Sequence, residues 1–225
     1  MPPSAGALLQ ARGLVARLGA TVGPGRVRVL ADIYLDSADH WLWRAGLGLR
    51  IRTRGGATTL TLKAARGPEG SPVLERPELE EPIRQPPECF PCPAPGARIA
   101  AWIRHVAGPL DLVPVARLTV RRCESDLVLP GGLRSKLCAD AVIAEVAGHR
   151  VRFWELEIES QGQGGDLERF SRRLADLSGW RIVVESKLER ALELADVPPP
   201  ARDETDLDVR RSEEHTSELQ SRQSI

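Results

Sequence analysis

Charged or hydroxyl side chains recur at every second position in four short segments of this sequence. The sets are Arg50, Arg52 and Arg54; Thr59, Thr61 and Lys63; Arg76, Glu78 and Glu80; and Glu155, Glu157 and Glu159. Because successive side chains of a β-strand point to opposite faces, each set would line one face of a strand. Carboxylates bind divalent metal ions, and Arg and Lys bind phosphate oxygens. A site that brings these sets together would suit a polyanion with a metal ion, above all a triphosphate.

Charged faces also occur on ordinary antiparallel sheets, which bury one side and expose the other to water. The clustering by sign argues against this simpler interpretation. Three carboxylates at consecutive same-side positions repel one another, as do three arginines, unless opposite charge lies near them. A closed or strongly curved sheet would bring the two kinds of set together across its interior.

Hydrophobic periodicity predicts the elements that would position these residues. Strands are predicted at 27–35, 47–54, 58–63, 74–80, 114–123, 135–142, 150–160 and 181–185, and helices at 5–18, 97–106 and 187–194. A further helix is predicted between a capping Asp166 and Gly179. The proline-rich stretch 82–96 cannot be a central strand and is interpreted as an irregular connection. The predicted fold class is α+β, dominated by antiparallel strands, in one domain over 1–195.

The composition narrows the classes of protein that this chain can belong to. Its 225 residues are 42% hydrophobic, enough for one domain to bury a substantial core. Lys and Arg together number 31, as do Asp and Glu, which argues against a general nucleic-acid or membrane-surface binder. The sequence has neither a long apolar run nor a signal-peptide pattern, so a cytoplasmic location is expected. Most cations are arginines, which fits bidentate phosphate binding and equally fits a codon bias.

The four cysteines do not indicate a metal or redox site. Cys89 and Cys92 form a single close pair in the proline-rich stretch, whereas Cys123 and Cys138 lie on separate predicted strands. A zinc site of this kind needs a second close pair, and a redox motif needs a strand-to-helix context. We expect reduced thiols with no catalytic role.

Residues 211–225 (RSEEHTSELQSRQSI) differ in character from the rest of the chain. They resemble the translation of a short-read sequencing adapter and are expected to be non-native; the alternative is an ordinary polar C-terminal tail. In either case we expect no function there. Prolines 198–200 begin a predicted linker over 196–210, and the natural protein is expected to continue beyond Arg210.

Six fragments occur in an order that resembles CYTH proteins, the triphosphate tunnel metalloenzyme superfamily. They are YLDSADHWLWRAGLGLRIRTR (34–54), LTLK (60–63), ERPELE (75–80), LTVRR (118–122), ELEIES (155–160) and ESKLERAL (185–192). The resemblance covers about 27–194. This superfamily includes inorganic triphosphatases, thiamine triphosphatases and class IV adenylate cyclases.

The resemblance implies an antiparallel eight-stranded β-barrel, or tunnel, with a charged interior and flanking helices. The cations that it implies for triphosphate binding are Arg50, Arg52, Lys63, Arg122 and Lys187. The acidic residues that it implies for binding Mg²⁺ or Mn²⁺ are Glu155, Glu157, Glu159, Asp140, Glu78 and Glu80. One metal ion would orient the phosphates and a second would polarise the attacking water.

Simpler roles stay open for several of these residues. Asp140 could begin a turn, Lys187 could face solvent at the start of a helix, and Glu78 and Glu80 could pair with neighbouring arginines, since surface ion pairs are common.

The chain departs from the family at its N-terminus. The family's first strand reads Glu-x-Glu-x-Lys and supplies metal-binding carboxylates and a catalytic lysine, whereas residues 1–22 contain neither Glu nor Lys. We expect that an upstream portion is missing, so the catalytic residues stay unassigned and the chain as written is expected to lack one wall of its tunnel and its activity.

The leading hypothesis is a metal-dependent triphosphatase that hydrolyses inorganic triphosphate. Class IV adenylate cyclase and thiamine triphosphatase activities are alternatives, because the tunnel handles the shared triphosphate while loops read the organic part. A non-catalytic polyphosphate-binding module is a third hypothesis. In many bacterial relatives a histidine-rich CHAD domain follows the CYTH domain. The resemblance therefore implies a CHAD domain as a candidate for a part lost after the linker.

Overall fold

The computed structural model describes residues 5–64, 74–160, 164–183, 185–201 and 220–224. The helices are α1 (Ala5–Arg17), α2 (Trp41–Arg44), α3 (Ala97–Ala107), α4 (Gly164–Ser178) and α5 (Lys187–Leu194). The strands are β1 (Thr21–Ser37), β2 (Leu47–Arg54), β3 (Ala57–Ala64), β4 (Leu74–Ile83), β5 (Leu112–Val128), β6 (Arg134–Val146), β7 (His149–Ser160) and β8 (Gln220–Ser224). Within these ranges, none of the helices combines the length and apolar character that a membrane crossing requires.

The strands form one closed antiparallel barrel in the order β1-β2-β3-β4-β8-β7-β6-β5. β1 to β4 make one antiparallel meander, and β5 to β7 make a second one that returns to β1. The α+β fold class with an antiparallel barrel and flanking helices, predicted from the sequence, is confirmed.

Cross-strand register sets opposite charges side by side. Arg122 on β5 lies opposite Asp140 on β6. The next pair, Asp140 with Glu155 on β7, is an exception that sets two carboxylates side by side. Elsewhere in the barrel, Lys63 on β3 lies opposite Glu78 on β4. Opposite-charge pairs directly across strands are stabilising, so the register and the charge pattern support each other.

Helices cover the apolar outer faces of the strands. Beneath α3, whose buried residues are Ile99 and Ile103, lie the leucines and isoleucines that alternate with the charged residues of β2 and β3. Leu137 of β6 and Ile158 of β7 pack against α1 and α4. Because adjacent residues of a strand point to opposite faces, the alternating charged residues point into the barrel.

Helix α5 lies on the inner side of the barrel. Its Leu188 and Leu192 pack against Leu118 and Val120 of β5, which share a strand face with Arg122. The inner face of the barrel is therefore apolar at one end, where α5 packs. Further along the same strands this face carries charged residues.

A capping box fixes the start of α5. Ser186 Oγ accepts a hydrogen bond from the Glu189 backbone N–H (3.2 Å), and Glu189 Oε2 accepts one from the Ser186 N–H (2.6 Å). This reciprocal pair satisfies backbone donors that have no partner within the helix. It fixes the backbone of Lys187, the first residue of α5, next to the charged lining.

Two details of the proline-rich region differ from the sequence-based interpretation. β4 continues through Pro82 to Ile83, so the irregular connection is shorter than predicted. Glu81 of β4 accepts hydrogen bonds from the backbone N–H groups of Arg98 (3.1 Å) and Ile99 (2.8 Å). Its carboxylate caps α3, whose own N-cap residue, Gly96, has no side chain.

The predicted strand at 181–185 is wrong over the part that the structure describes. Residues 181–183 carry no strand assignment and line a cavity beside β7. Their β-branched residues have the local preference of a strand, but a strand also requires a neighbouring edge with which to exchange hydrogen bonds.

The predicted linker and tail also have structured parts. Val197 packs against the apolar cluster around α5, and Trp43 Nε1 donates a hydrogen bond to the Pro200 carbonyl (2.9 Å). Gln220–Ser224, expected to lie outside the domain, forms β8 and pairs with β4 over Leu74–Glu78. The edge of a sheet presents unpaired backbone groups to any extended segment, so this pairing requires no special sequence.

All four cysteines are free, as expected. Cys92 is tied to the sheet through paired backbone hydrogen bonds with Leu112.

Candidate functional site

Three carboxylates converge inside the barrel. Each of Asp140, Glu155 and Glu157 offers an oxygen, and these atoms lie within 4.8 Å of one another. Their side chains are largely buried, with exposed fractions of 0%, 17% and 20% in that order. Carboxylate oxygens at this spacing suit a hard divalent cation such as Mg²⁺ or Mn²⁺. The donor set therefore fits the metal that the sequence predicts.

Arg122 lies against this acidic group. Its Nε and NH2 donate to the two oxygens of Asp140 (2.8 and 2.7 Å), and its NH1 donates to Glu159 (2.8 Å). NH2 also contacts Glu157 Oε2 at 2.5 Å. Burial alone would lower the pKa of Arg122, but the surrounding carboxylates raise it. In this structure Arg122 acts as a counter-charge for the acidic group, and its role as a phosphate ligand stays a prediction.

The ammonium group of Lys187 lies between Asp140, Glu155 and Glu157, the three converging carboxylates. Its Nζ is 2.6 Å from Glu157 Oε1 and 3.1 Å from Asp140 Oδ2, and it also contacts Glu155. Despite burial, these carboxylates raise the pKa of Lys187 well above its usual value. Burial raises the pKa of Glu155 to about 7, whereas that of Glu157 is lowered against burial by Lys187 and Arg122. The alternative that Lys187 faces solvent is wrong, because its side chain is only 7% exposed.

Arg50 and Lys63 form a cationic part of the same interior. Lys63 Nζ pairs with Glu78 Oε2 at 2.8 Å, and burial together with nearby Arg50 lowers the pKa of Lys63. Arg50 is half-buried, and its buried Nε has no hydrogen-bond partner among the described residues. Buried donors normally have an acceptor, so this guanidinium is suited to bind an oxygen-rich anion.

Asp32 is a site residue that the sequence interpretation missed. Its two oxygens accept hydrogen bonds from Arg52 Nε (2.7 Å) and NH2 (2.6 Å), and its side chain is fully buried. The available signal was its alternation with Tyr34 on one face of β1, but only the register reveals that Asp32 lies opposite Arg52.

The structure does not bring every predicted metal ligand together. Glu78 pairs with Lys63, and Glu80 is exposed and accepts a hydrogen bond from Thr61 (3.2 Å). Within the described part of the chain, neither belongs to the group of converging carboxylates. Glu159 lies beside that group through its bond to Arg122.

A cavity of about 490 Å³ connects the cationic residues Arg50 and Lys63 with Glu155 and Glu157 of the acidic group. Its charged lining comprises Arg50, Lys63, Glu78, Glu155, Glu157, Arg181, Glu185, Lys187 and Arg190. Apolar residues from the other face of β7, including Trp154 and Leu156, line it as well. Both faces of one strand can line a cavity only along an edge of that strand. Among the described strands, β8 pairs with β7 only at Ser160, so most of this edge of β7 is open to the cavity.

A closed antiparallel barrel with opposed cationic and carboxylate groups inside defines a charged β-tunnel. The CYTH domain matches residues 9–192, and this chain belongs to the CYTH family.

Two uncharacterised proteins of Mycobacterium tuberculosis, Rv2226 from strain H37Rv and MT2285 from strain CDC 1551, are each 28% identical to this chain over 198 residues. The match covers 77% of this chain and 37% of each relative, so the chain spans little more than a third of their length.

Two solved structures share the fold. A Bacillus halodurans protein described as a candidate adenylate cyclase has a TM-score of 0.56 and 20% identity, and the match covers 81% of this chain and 90% of that one. A Hippeastrum protein described as a candidate adenylyl cyclase with a dominant triphosphatase activity has a TM-score of 0.54 and 17% identity, over 88% of this chain and 94% of that one.

Proposed function

We propose that this protein is a metal-dependent triphosphatase that hydrolyses inorganic triphosphate inside the tunnel. The observation that carries the proposal is one cavity lined on one side by Arg50 and Lys63 and on the other by Glu155 and Glu157. Cations on one wall bind phosphate oxygens, and carboxylates on the other bind the metal ion that the phosphates also ligate. A chain of phosphates is the simplest ligand that satisfies both walls.

Each residue has a separate task in this proposal. Arg50 offers a half-buried guanidinium whose buried Nε is unpaired among the described residues, and is the principal phosphate ligand. Arg52 is oriented by Asp32. Asp140, Glu155 and Glu157 hold Mg²⁺ or Mn²⁺, which when bound supplies charge neutralisation and an activated water.

The open edge of β7 supports the expectation that a strand reading Glu-x-Glu-x-Lys completes this wall. A strand paired there would point alternate side chains into the tunnel beside Glu155 and Glu157. Two more carboxylates would extend the ligand set toward a second metal ion, and the lysine would face the phosphates.

Phosphate release from tripolyphosphate tests the proposal. The chain as it stands is compared with a version that carries an upstream segment containing Glu-x-Glu-x-Lys, each with Mg²⁺ and with Mn²⁺. We expect metal-dependent release from the extended version and little from the shorter one. If the extended version shows no turnover with either metal, the triphosphatase proposal fails.

A substrate with an organic group is the second candidate. The cavity continues from the charged lining to Trp154 and Trp180, whose rings contact edge-to-face with centroids 5.4 Å apart. Such a wall suits an aromatic group, as in ATP or thiamine triphosphate. Production of cyclic AMP from ATP would identify a cyclase, and preferential hydrolysis of thiamine triphosphate would identify that activity. Calorimetric binding of polyphosphate without any turnover would identify the non-catalytic alternative.

A further inference from the structure

The Lys187 ammonium occupies the position that a divalent cation would need. The three carboxylates that converge within 4.8 Å are the three that contact Nζ. Mg²⁺ binds oxygens at about 2.0–2.1 Å, so an ion shared by these carboxylates must lie between them. Nζ already lies there, and the two cations cannot occupy that space together.

Arg122 does not compete in the same way. It takes Oε2 of Glu157, whereas Lys187 takes Oε1. The two cations share Oδ2 of Asp140, at 2.7 Å from Arg122 NH2 and 3.1 Å from Lys187 Nζ, and Arg122 also donates to Oδ1 of Asp140 and to Glu159. Arg122 can therefore stay in place while Lys187 leaves. With all four carboxylates ionised, Asp140, Glu155, Glu157 and Glu159 together with both cations carry two net negative charges, and replacing the ammonium with a divalent ion reduces this to one.

The displaced ammonium would remain in the site. The capping box of Ser186 and Glu189 anchors the backbone of Lys187, so only its flexible side chain needs to move. Lys187 lines the same cavity as Arg50 and Lys63. Turning away from the carboxylates therefore leaves its charge in the cavity where those two cations lie.

We propose that Lys187 is an exchange cation, whose ammonium holds the place of the divalent ion in the metal-free protein and moves onto the triphosphate when the metal binds. This inference rests on the proposed function and adds a coupling to it. Each ligand makes the other bind more tightly, because the metal releases a phosphate ligand and the triphosphate stabilises that released lysine. Such coupling must be equal in both directions.

Mn²⁺ binding, measured by the electron paramagnetic resonance signal of the free ion, tests the exchange without any turnover. Lys187→Met removes the competing charge, so the variant should bind Mn²⁺ at least about tenfold more tightly than the unaltered chain when no triphosphate is present. After correction with a protein-free titration, because tripolyphosphate itself chelates Mn²⁺, adding tripolyphosphate should tighten Mn²⁺ binding by the unaltered chain and much less by the variant. Lys136→Met is the matched control, because Lys136 is 47% exposed and pairs with Asp126 on the surface.

A second measurement uses the unaltered chain and does not depend on the folding of a variant. The sequence contains only three lysines, Lys63, Lys136 and Lys187, so lysine labelled with ¹³C at Cε gives three resolvable sites. Saturating Mg²⁺ should shift the Lys187 signal strongly and leave the Lys136 signal unchanged.

Three outcomes would overturn the exchange. The exchange is rejected if the unaltered chain and Lys187→Met bind Mn²⁺ with equal affinity, or if the Lys187 signal does not shift when Mg²⁺ binds. Either result leaves the triphosphatase proposal standing. Absence of Mn²⁺ binding by both proteins, with and without tripolyphosphate, rejects the exchange and the metal-dependent function together.

Discussion

Asp32 and Arg52 form a bidentate ion pair across β1 and β2, with hydrogen bonds of 2.7 and 2.6 Å. The Asp32 side chain is fully buried, whereas that of Arg52 is 19% exposed. Two parallel hydrogen bonds fix the plane of the guanidinium as well as its position. Asp32 therefore orients a cation of the proposed phosphate site without facing the phosphates itself.

Replacing Asp32 should destabilise the fold. Asp32→Asn leaves the Arg52 charge without its partner, and breaking a largely buried pair in this way costs about 3 kcal/mol. Urea unfolding followed by circular dichroism measures the change. Asp39→Asn is the control, because the Asp39–Arg44 pair lies on the surface and should contribute little. Equal stability of the Asp32 variant and the unaltered chain would contradict the importance of the pair.

The same carboxylate should make stability depend on pH. Burial raises the pKa of Asp32, but the Arg52 hydrogen bond and nearby Arg50 outweigh burial and lower the pKa below its ordinary value of 3.8. A lowered pKa in the folded state contributes stability above the unfolded value, and that stability is lost as the pH falls through the folded value. As the pH falls below 3.8, the free energy of unfolding should decrease more steeply in the unaltered chain than in Asp32→Asn. Parallel pH profiles would contradict this assignment.

The strand faces were predictable from the sequence because alternation is a local property. The inward sets on β2, β3 and β7 follow from residue spacing alone, and the described strands bear them out. The partners across strands were not predictable in this way. Arg122, Asp140 and Glu155 come together only through the register of two successive hairpins. The two-residue turn Ala147–Gly148, with both residues at positive φ, fixes the β6–β7 register, and the sequence interpretation did not use that turn.

The location of α5 also required the folded chain. Its start and end were predicted from periodicity, but its location inside the barrel depends on apolar residues at 118 and 120, far away in sequence. The strand predicted at 181–185 is wrong for the same reason, because local sequence does not show whether a partner strand is present. Its local preference was correct for a strand, but residues 181–183 have no paired strand edge in the structure.

Arg50 should carry much of the affinity for triphosphate. Arg50→Met removes a half-buried guanidinium whose Nε has no partner among the described residues, so little is broken within the protein. Loss of charge-assisted hydrogen bonds should weaken binding by about 2 kcal/mol, roughly thirtyfold in Kd. Isothermal calorimetry with tripolyphosphate measures this. Arg54→Met is the matched control on the same strand, since Arg54 is exposed at its end, and it should bind as the unaltered chain does.

Arg122 distinguishes two roles that a cation can have in this tunnel. Its guanidinium is bonded to three carboxylates and is 9% exposed, which is the environment of a counter-charge. Arg122→Leu should therefore lower the free energy of unfolding by about 3–5 kcal/mol, because Glu159 would lose its partner and Lys187 alone would have to balance the other carboxylates. Urea unfolding measures the loss, with Arg121→Leu, an exposed neighbour on β5, as the control.

Metal should partly repair the Arg122 variant. A divalent ion bound to the same carboxylates replaces the missing positive charge, and a ligand that binds only the folded state stabilises it by mass action. Excess Mn²⁺ should raise the urea midpoint of Arg122→Leu by more than it raises that of the unaltered chain. One other outcome would identify Arg122 as a ligand of the triphosphate. If the variant keeps its stability and loses only its affinity for tripolyphosphate, Arg122 binds substrate and another group balances the acidic wall.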